Sequence, residues 1–87
     1  MTPEERLVEL GLDLPPVVAP VAAYVPAVRT GSYVYTAGQL PLREGALIHT
    51  GKVGAEVSPE EAYECARQCA LNALAAVRSQ VGDLSAI

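Results

Sequence analysis

The residues that could carry chemistry in this sequence are few, and most of them stand alone. Cys65 and Cys69 are the only two cysteines, and His49 is the only histidine. Zinc sites use sets of three or four closely spaced ligands, so two thiols on one predicted helix and one distant imidazole make a poor set. We therefore predict no metal site, and we interpret both cysteines as small core residues.

His49 and the short glycine-containing loop after it are the next candidates for chemistry. The sequence has no Ser-x-Gly elbow and no cysteine beside His49, so a nucleophile–histidine pair is not supported. His49 is predicted to be a surface or strand-end residue. The loop at residues 51–54, GKVG, lacks the glycine spacing and the Lys-Ser/Thr pair of a phosphate-binding loop. Neither nucleophilic catalysis nor phosphate binding follows from these residues.

The stretch YVYTAGQLPL, residues 33–42, begins as a strand and then runs into a glycine. Gly38 weakens a strand, and such a glycine marks a bulge or a place where another group approaches the backbone. Both interpretations stay open from spacing alone. Tyr24, which precedes this stretch on another predicted strand, is either a core aromatic residue with a bonded hydroxyl or part of a pocket.

Composition restricts the classes of protein that the chain can belong to. Its 87 residues allow one small domain, and 51% of them are hydrophobic. The net charge is −4 and the six basic residues are scattered. No basic stripe is available for phosphates, so nucleic acid is not expected as a partner. No run approaches about 18 apolar residues and no signal core opens the chain, so we expect a cytoplasmic protein without a membrane partner.

Two segments have the signature of a capped helix start. Thr2-Pro3-Glu4-Glu5 and Ser58-Pro59-Glu60-Glu61 each combine a capping box with proline in the first turn. The first helix is predicted to end at Gly11, and the second to run to about Val81 and stop at Gly82. Small apolar residues recur three or four apart along the second helix and predict the face that packs on a sheet. These residues are Ala62, Ala66, Cys69, Ala73, Leu74, Val77 and Val81.

The region between the helices is predicted to supply the strands. We expect strands at about 23–29, 33–37 and 46–49, with a turn at Gly31. The predicted order is β-β-β-α with an added helix in front. We assign residues 1–16 to an N-terminal helix and linker, and residues 17–87 to the N-terminal part of a single domain. Because a helix across a sheet usually returns the chain to a strand, residues 83–87 are expected to start that return.

Three stretches together resemble the N-terminal half of the reactive intermediate deaminase family. This is the RidA or YjgF-type family, also labelled endoribonuclease L-PSP. The stretches are YVPAVRTG at 24–31, VYTAGQLP at 34–41 and ARQCALN at 66–72. The resemblance runs in one register from residue 18 to about residue 87. It implies an α+β, chorismate mutase-like fold, with a mixed sheet and helices on one face, assembled as a homotrimer with pockets between subunits.

The same resemblance implies hydrolysis of small enamine or imine intermediates, such as 2-aminoacrylate, to a 2-oxo acid and ammonia. No metal or organic cofactor is needed. Tyr24, Ala37 and Gly38 are expected to bind the small carboxylate substrate, and the catalytic arginine and glutamate are expected beyond residue 87. The position of Ala37 is often serine in the family, and alanine removes that hydroxyl bond.

Two other functions are considered. The first is a non-catalytic, trimeric small-ligand-binding or regulatory protein that uses the same pocket without turnover. The second is an endoribonuclease or translation inhibitor, which the acidic charge balance and the lack of a catalytic His or Lys cluster disfavour.

Overall fold

The computed structural model describes residues 1–87. The chain forms two α-helices, four short strands and one 3-10 helix. In chain order they are α1 (Pro3–Glu9), β1 (Ala27–Thr30), β2 (Tyr33–Thr36), β3 (Leu42–Arg43), β4 (Ala46–Leu47), α2 (Pro59–Val81) and the 3-10 helix (Leu84–Ala86). The strands form two antiparallel hairpins, β1–β2 and β3–β4. The predicted α+β class is confirmed.

Both helix starts have the predicted capping boxes. The Ser58 hydroxyl accepts a hydrogen bond from the Glu61 amide at 3.1 Å, and the Glu61 carboxylate accepts one from the Ser58 amide at 2.9 Å. Thr2 and Glu5 make the same reciprocal pair at the start of α1. Each box satisfies amides that the first helical turn would otherwise leave unpaired. The predicted end of α2 is also confirmed, since Gly82 follows Val81 with a φ of 81°.

The first strand is shorter than predicted. The β1–β2 hairpin pairs Ala27 with Thr36 and Thr30 with Tyr33, whereas the prediction started the first strand at about Ala23. Proline has no amide to donate, and Pro26 contributes only its carbonyl, which accepts from the Ala37 amide at 2.9 Å. Pairing therefore stops there, and the preceding residues form a bend rather than a strand.

The predicted third strand belongs to a separate small hairpin. Strand β4 covers only Ala46–Leu47, not the predicted 46–49, and it pairs with β3. The two residues between β3 and β4, Glu44 and Gly45, have φ values of 54° and 81°. Positive φ at both central residues is the requirement of a type I′ hairpin turn, which matches the twist of the flanking strands.

Residues 84–86 form a 3-10 helix that packs against the N-terminal helix. The return towards a strand, which we expect to start at residues 83–87, includes no strand within these residues. Leu84 is buried, and its amide donates to the Glu4 carboxylate of α1 at 2.6 Å. Burial of Leu84 and this hydrogen bond hold residues 84–86 against α1. No helix is both long and apolar enough to cross a membrane.

The buried face of α2 differs from the predicted one. The buried residues of this helix are Gln68, Asn72, Ala75 and Ala76. Within the predicted stripe, Ala66 and Leu74 are exposed and the remaining residues are only half-buried. The prediction followed apolar residues, but two buried amides occupy the centre of the true core face. A helix face predicted from apolar residues alone leaves out buried polar residues. The predicted face is then rotated away from the one that is buried.

Candidate functional site

Tyr24 and Gly38 lie in the wall of one shallow cavity. Two segments form it, the bend before β1 and the bend that follows β2. The lining residues are Val18, Ala19, Pro20, Val21, Tyr24, Pro26, Gly38, Gln39, Leu40 and Leu42. The volume of about 10 Å³ is at the lower limit, about 10–15 Å³, of what holds one water molecule. Within this chain the cavity is therefore only a shallow depression in the surface. Tyr24 is 42% exposed there.

The third predicted binding residue, Ala37, is not among the residues that line this cavity. Its amide closes the β1–β2 hairpin through the bond to the Pro26 carbonyl. Gln39 does line the cavity, and its side-chain amide lies 3.4 Å from the Ala37 carbonyl, a long contact. The structure therefore brings together Tyr24, Gly38 and Gln39, with Ala37 fixing the backbone at the edge.

Gly38 differs from every other glycine in the chain. Six of the seven glycines have positive φ, which explains their residue type, but Gly38 does not. A Cβ built on Gly38 meets nothing within 4 Å. Neither backbone conformation nor internal packing therefore requires glycine at this position. A group from outside the chain that approaches the backbone closely would require it.

A buried pair of amides on α2 holds the bend that contains Gly38. Asn72 has no exposed surface, and its Nδ2 donates to the carbonyls of Leu40 at 3.1 Å and Leu42 at 3.0 Å. Gln68 Nε2 donates to Asn72 Oδ1 at 3.0 Å, which fixes the orientation of the Asn72 amide. Buried polar groups are stable only when bonded, and here the bonds position a loop 30 residues away in sequence.

The role of this amide pair was not predicted from the sequence. Both residues lie in the ARQCALN stretch, residues 66–72, which was used only for its resemblance to a family. No structural role was predicted for Gln68 or Asn72. The available signal was a pair of amides four residues apart on the predicted second helix, since such residues share one face and can bond each other. A polar pair in that position indicates a buried network as readily as a solvated face.

His49 lies just after β4, between two glutamates of α2. Its ring nitrogens are 3.3 Å from a Glu61 oxygen and 3.3 Å from a Glu64 oxygen, and Arg43 donates to Glu64 at 3.1 Å. Hydrogen bonds from His49 and then from Arg43 hold the pKa of Glu64 below its usual value. Bonds with Ser58 in the capping box lower the pKa of Glu61. The cluster contains no nucleophile, and it ties both ends of the β3–β4 hairpin to the start of α2.

The two cysteines are half-buried on α2, at the edge of the core rather than within it. Burial, and secondarily the neighbouring Cys65, raises the pKa of the Cys69 thiol. A raised pKa disfavours the thiolate, which is the nucleophilic form. Nothing in this geometry activates either thiol, and no group of three or more potential metal ligands assembles in the chain.

The chain belongs to the family described as "YjgF/chorismate mutase-like, putative endoribonuclease", whose model matches residues 4–87. This confirms the family that the three sequence stretches indicated, together with its chorismate mutase-like fold. Among curated proteins, the chain is 35% identical over 82 residues to Protein TCP17 of Trypanosoma cruzi. That match covers 94% of this chain and 51% of the relative.

Two solved structures show the same fold. A "putative endoribonuclease" from Shewanella oneidensis MR-1 matches with a TM-score of 0.90 and 41% identity, over 98% of this chain and 56% of that chain. The protein Atu1372 from Agrobacterium tumefaciens, described as having unknown function, matches with a TM-score of 0.77 and 42% identity. That match covers 94% of this chain and 48% of the other. The chain spans about half the length of each relative.

Proposed function

We propose that the protein is an imine deaminase, which hydrolyses small enamine or imine intermediates of the 2-aminoacrylate type to 2-oxo acids and ammonia. One observation carries the proposal. Gly38 has no structural reason of its own to be glycine, and it lines a cavity together with the exposed Tyr24. A ligand that contacts the Gly38 backbone and the Tyr24 hydroxyl accounts for both residues.

The cavity wall also indicates what must come from outside residues 1–87. No arginine, lysine or carboxylate lines it, whereas a carboxylate substrate needs a fixed cation and imine hydrolysis needs a group that positions water. We assign these roles to an arginine and a glutamate of the complete protein, in which residues 17–87 are the N-terminal part of a single domain. The reaction uses no metal or organic cofactor, and two free thiols suit a reducing cytoplasm.

A homotrimer would supply the second wall of the pocket from a neighbouring subunit. One face of the β1–β2 hairpin packs towards α2 through Ala27, and the opposite face leaves Val28, Tyr33 and Tyr35 exposed. The two tyrosine rings lie 6.3 Å apart, so they form a continuous apolar surface of the kind that marks an interface. Light scattering on the complete protein tests the trimer, and a monomeric mass would contradict it.

The second candidate is a small-ligand-binding or regulatory protein with the same pocket. It is favoured by Ala37, which supplies no hydroxyl where many family members have serine. The endoribonuclease name of relatives finds less support in this chain, because a net charge of −4 opposes contact with a polyanionic backbone.

The test is a coupled assay on the complete protein. An amino-acid oxidase or a dehydratase generates the imine, and the appearance of 2-oxo acid is followed with and without the protein. We expect acceleration over the spontaneous rate for imines with small side chains, and a lower kcat/KM for Tyr24→Phe. Tyr63→Phe is the matched control, because Tyr63 is an exposed tyrosine on α2 that does not line the cavity. No acceleration for any side-chain size would favour the binding protein.

A further inference from the structure

A second cleft lies where the end of the N-terminal helical segment meets β3 and α2. Its volume is about 190 Å³, and none of its residues lines the Tyr24–Gly38 cavity. The residues that line it are Leu12, Arg43, Glu64, Arg67, Gln68 and Leu71. We call it the Arg67 cleft. Two of the six basic residues of an acidic chain meet in this one place.

The charges in the Arg67 cleft leave one guanidinium available. Arg43 is paired with Glu64 at 3.1 Å, so these two charges neutralise each other. Arg67 is exposed and takes part in none of the ion pairs of the chain. The lining therefore has a net charge of +1, carried by a planar group that binds carboxylates through two parallel hydrogen bonds.

A buried amide forms the polar part of the cleft. Gln68 is only 6% exposed, and its Nε2 donates one hydrogen bond, to Asn72. A side-chain amide nitrogen has two N–H groups, so a second donor is available on a side chain whose position is fixed by the Asn72 network. Fixed donors bind an anion at little conformational cost.

We propose that the Arg67 cleft binds a small aliphatic monocarboxylate. Arg67 supplies the charge and Gln68 a fixed donor, while Leu12 and Leu71 enclose the aliphatic part. The cleft volume of about 190 Å³ is below the roughly 300–1,000 Å³ of pockets for drug-sized ligands, so it suits a ligand with a short chain. The single net positive charge matches a monoanion better than a dianion. This proposal does not rest on the imine deaminase proposal, because no residue lines both sites and Gln68 reaches the Gly38 bend only through Asn72.

Titration of the protein with butyrate, followed by amide and side-chain NMR shifts, tests the site. We expect saturable shifts at Arg67, Gln68 and Leu71, and none with butyramide, the neutral analogue. Arg67→Gln should weaken binding by about tenfold or more, the range for a hydrogen bond to a charged group. Arg78→Gln is the matched control, because it removes the same charge from α2 outside the cleft.

Arg67 is exposed and bonds nothing in the chain, so Arg67→Gln should keep the fold, which circular dichroism checks. Non-saturable shifts would overturn the proposal, as would equal weakening by both arginine variants, since either result indicates general attraction to charge. Tighter binding of inorganic phosphate than of butyrate would overturn the assignment to monocarboxylates.

Discussion

At the scale of single residues, Asn72 links the core of the protein to its candidate site. The side chain is fully buried, and it spans α2 and the bend that carries Gly38 with bonds to two carbonyls. A carboxamide suits this place because it donates to the bend and accepts from Gln68 at the same time. The loop in the cavity wall thereby gains a fixed position that its own sequence would not give it.

Replacement of Asn72 by alanine should destabilise the protein by about 1–3 kcal/mol, because it removes the acceptor of the buried Gln68 amide and the side-chain bonds to the Leu40 and Leu42 carbonyls. The matched control is Gln80→Ala, which removes an amide from an exposed position of the same helix. Urea denaturation measures both free energies of unfolding. Equal midpoints for the two variants would show that the Asn72 bonds contribute nothing to stability.

Alanine substitutions at two glycines should have opposite effects on the free energy of unfolding. Gly51 has a φ of 128°, and a Cβ there would lie 2.5 Å from the Cβ of Glu56. Gly51→Ala should therefore lower the free energy of unfolding by about 1–3 kcal/mol. Gly38→Ala meets no such obstacle and should be neutral or stabilising by about 0.4–1 kcal/mol, because alanine restricts the unfolded chain. Thermal or urea unfolding that ranks the two variants in the reverse order would contradict this view of Gly38.

At the scale of elements, α2 is the helix on which most of the other elements pack. It contacts β1, β2, β3 and the 3-10 helix, and its small buried residues allow close packing. Ala76 has no exposed surface, whereas Ala66 is exposed on another side of the helix. Ala76→Leu should overpack the core and cost about 1–3 kcal/mol. Ala66→Leu should change the free energy of unfolding by less than about 0.5 kcal/mol. Similar losses from both substitutions in urea denaturation would mean that the helix is rotated relative to this description.

The start of α2 should make stability sensitive to acid. The pKa values of Glu61 and Glu64 are lowered in the folded protein by hydrogen bonds that favour the carboxylates. A lowered folded-state pKa adds stability that is present above the usual glutamate value, about 4.3, and is lost as the pH falls through the folded value. We expect the free energy of unfolding to decrease with acidification in that range.

Glu61→Gln isolates the contribution of the capping box to this acid sensitivity. Glutamine keeps an acceptor for the Ser58 amide but does not titrate, so the decrease below about pH 4.3 should be shallower in this variant. Glu60→Gln, in the same turn and outside the box, is the control. Identical pH profiles of urea-measured stability for the two variants would show that the capping carboxylate is not a source of the acid sensitivity.

At the scale of the whole molecule, the sequence predicted those features that depend on residues close together in the chain. The capping boxes at Thr2 and Ser58, the β1–β2 hairpin and the end of α2 at Val81 all depend on residues close in sequence. The pairing of β4 with β3 and the burial of Leu84 were not predicted, because no pattern of neighbouring residues indicates them.

The candidate site was predicted only in part. Its residues Tyr24 and Gly38 came from a family resemblance. The support by Gln68 and Asn72 was invisible because buried polar residues interrupt the apolar pattern on which a helix face is predicted. Tyr24 was predicted to lie on a strand, but it lies in a bend before β1. Periodicity predicts a side chain's face only where the backbone is regular.

The proposed contact between the Gly38 backbone and an imine substrate can be tested through the rate of hydrolysis. The most direct measurement is kcat/KM for 2-aminoacrylate hydrolysis by the complete protein and by its Gly38→Ala variant, with the free energy of unfolding determined for both. If the substrate contacts this backbone, kcat/KM should fall by about tenfold or more at unchanged or higher stability, as expected when a methyl group displaces a contact of about 1.4 kcal/mol or more. Full activity in the Gly38→Ala variant would mean that the substrate does not contact Gly38.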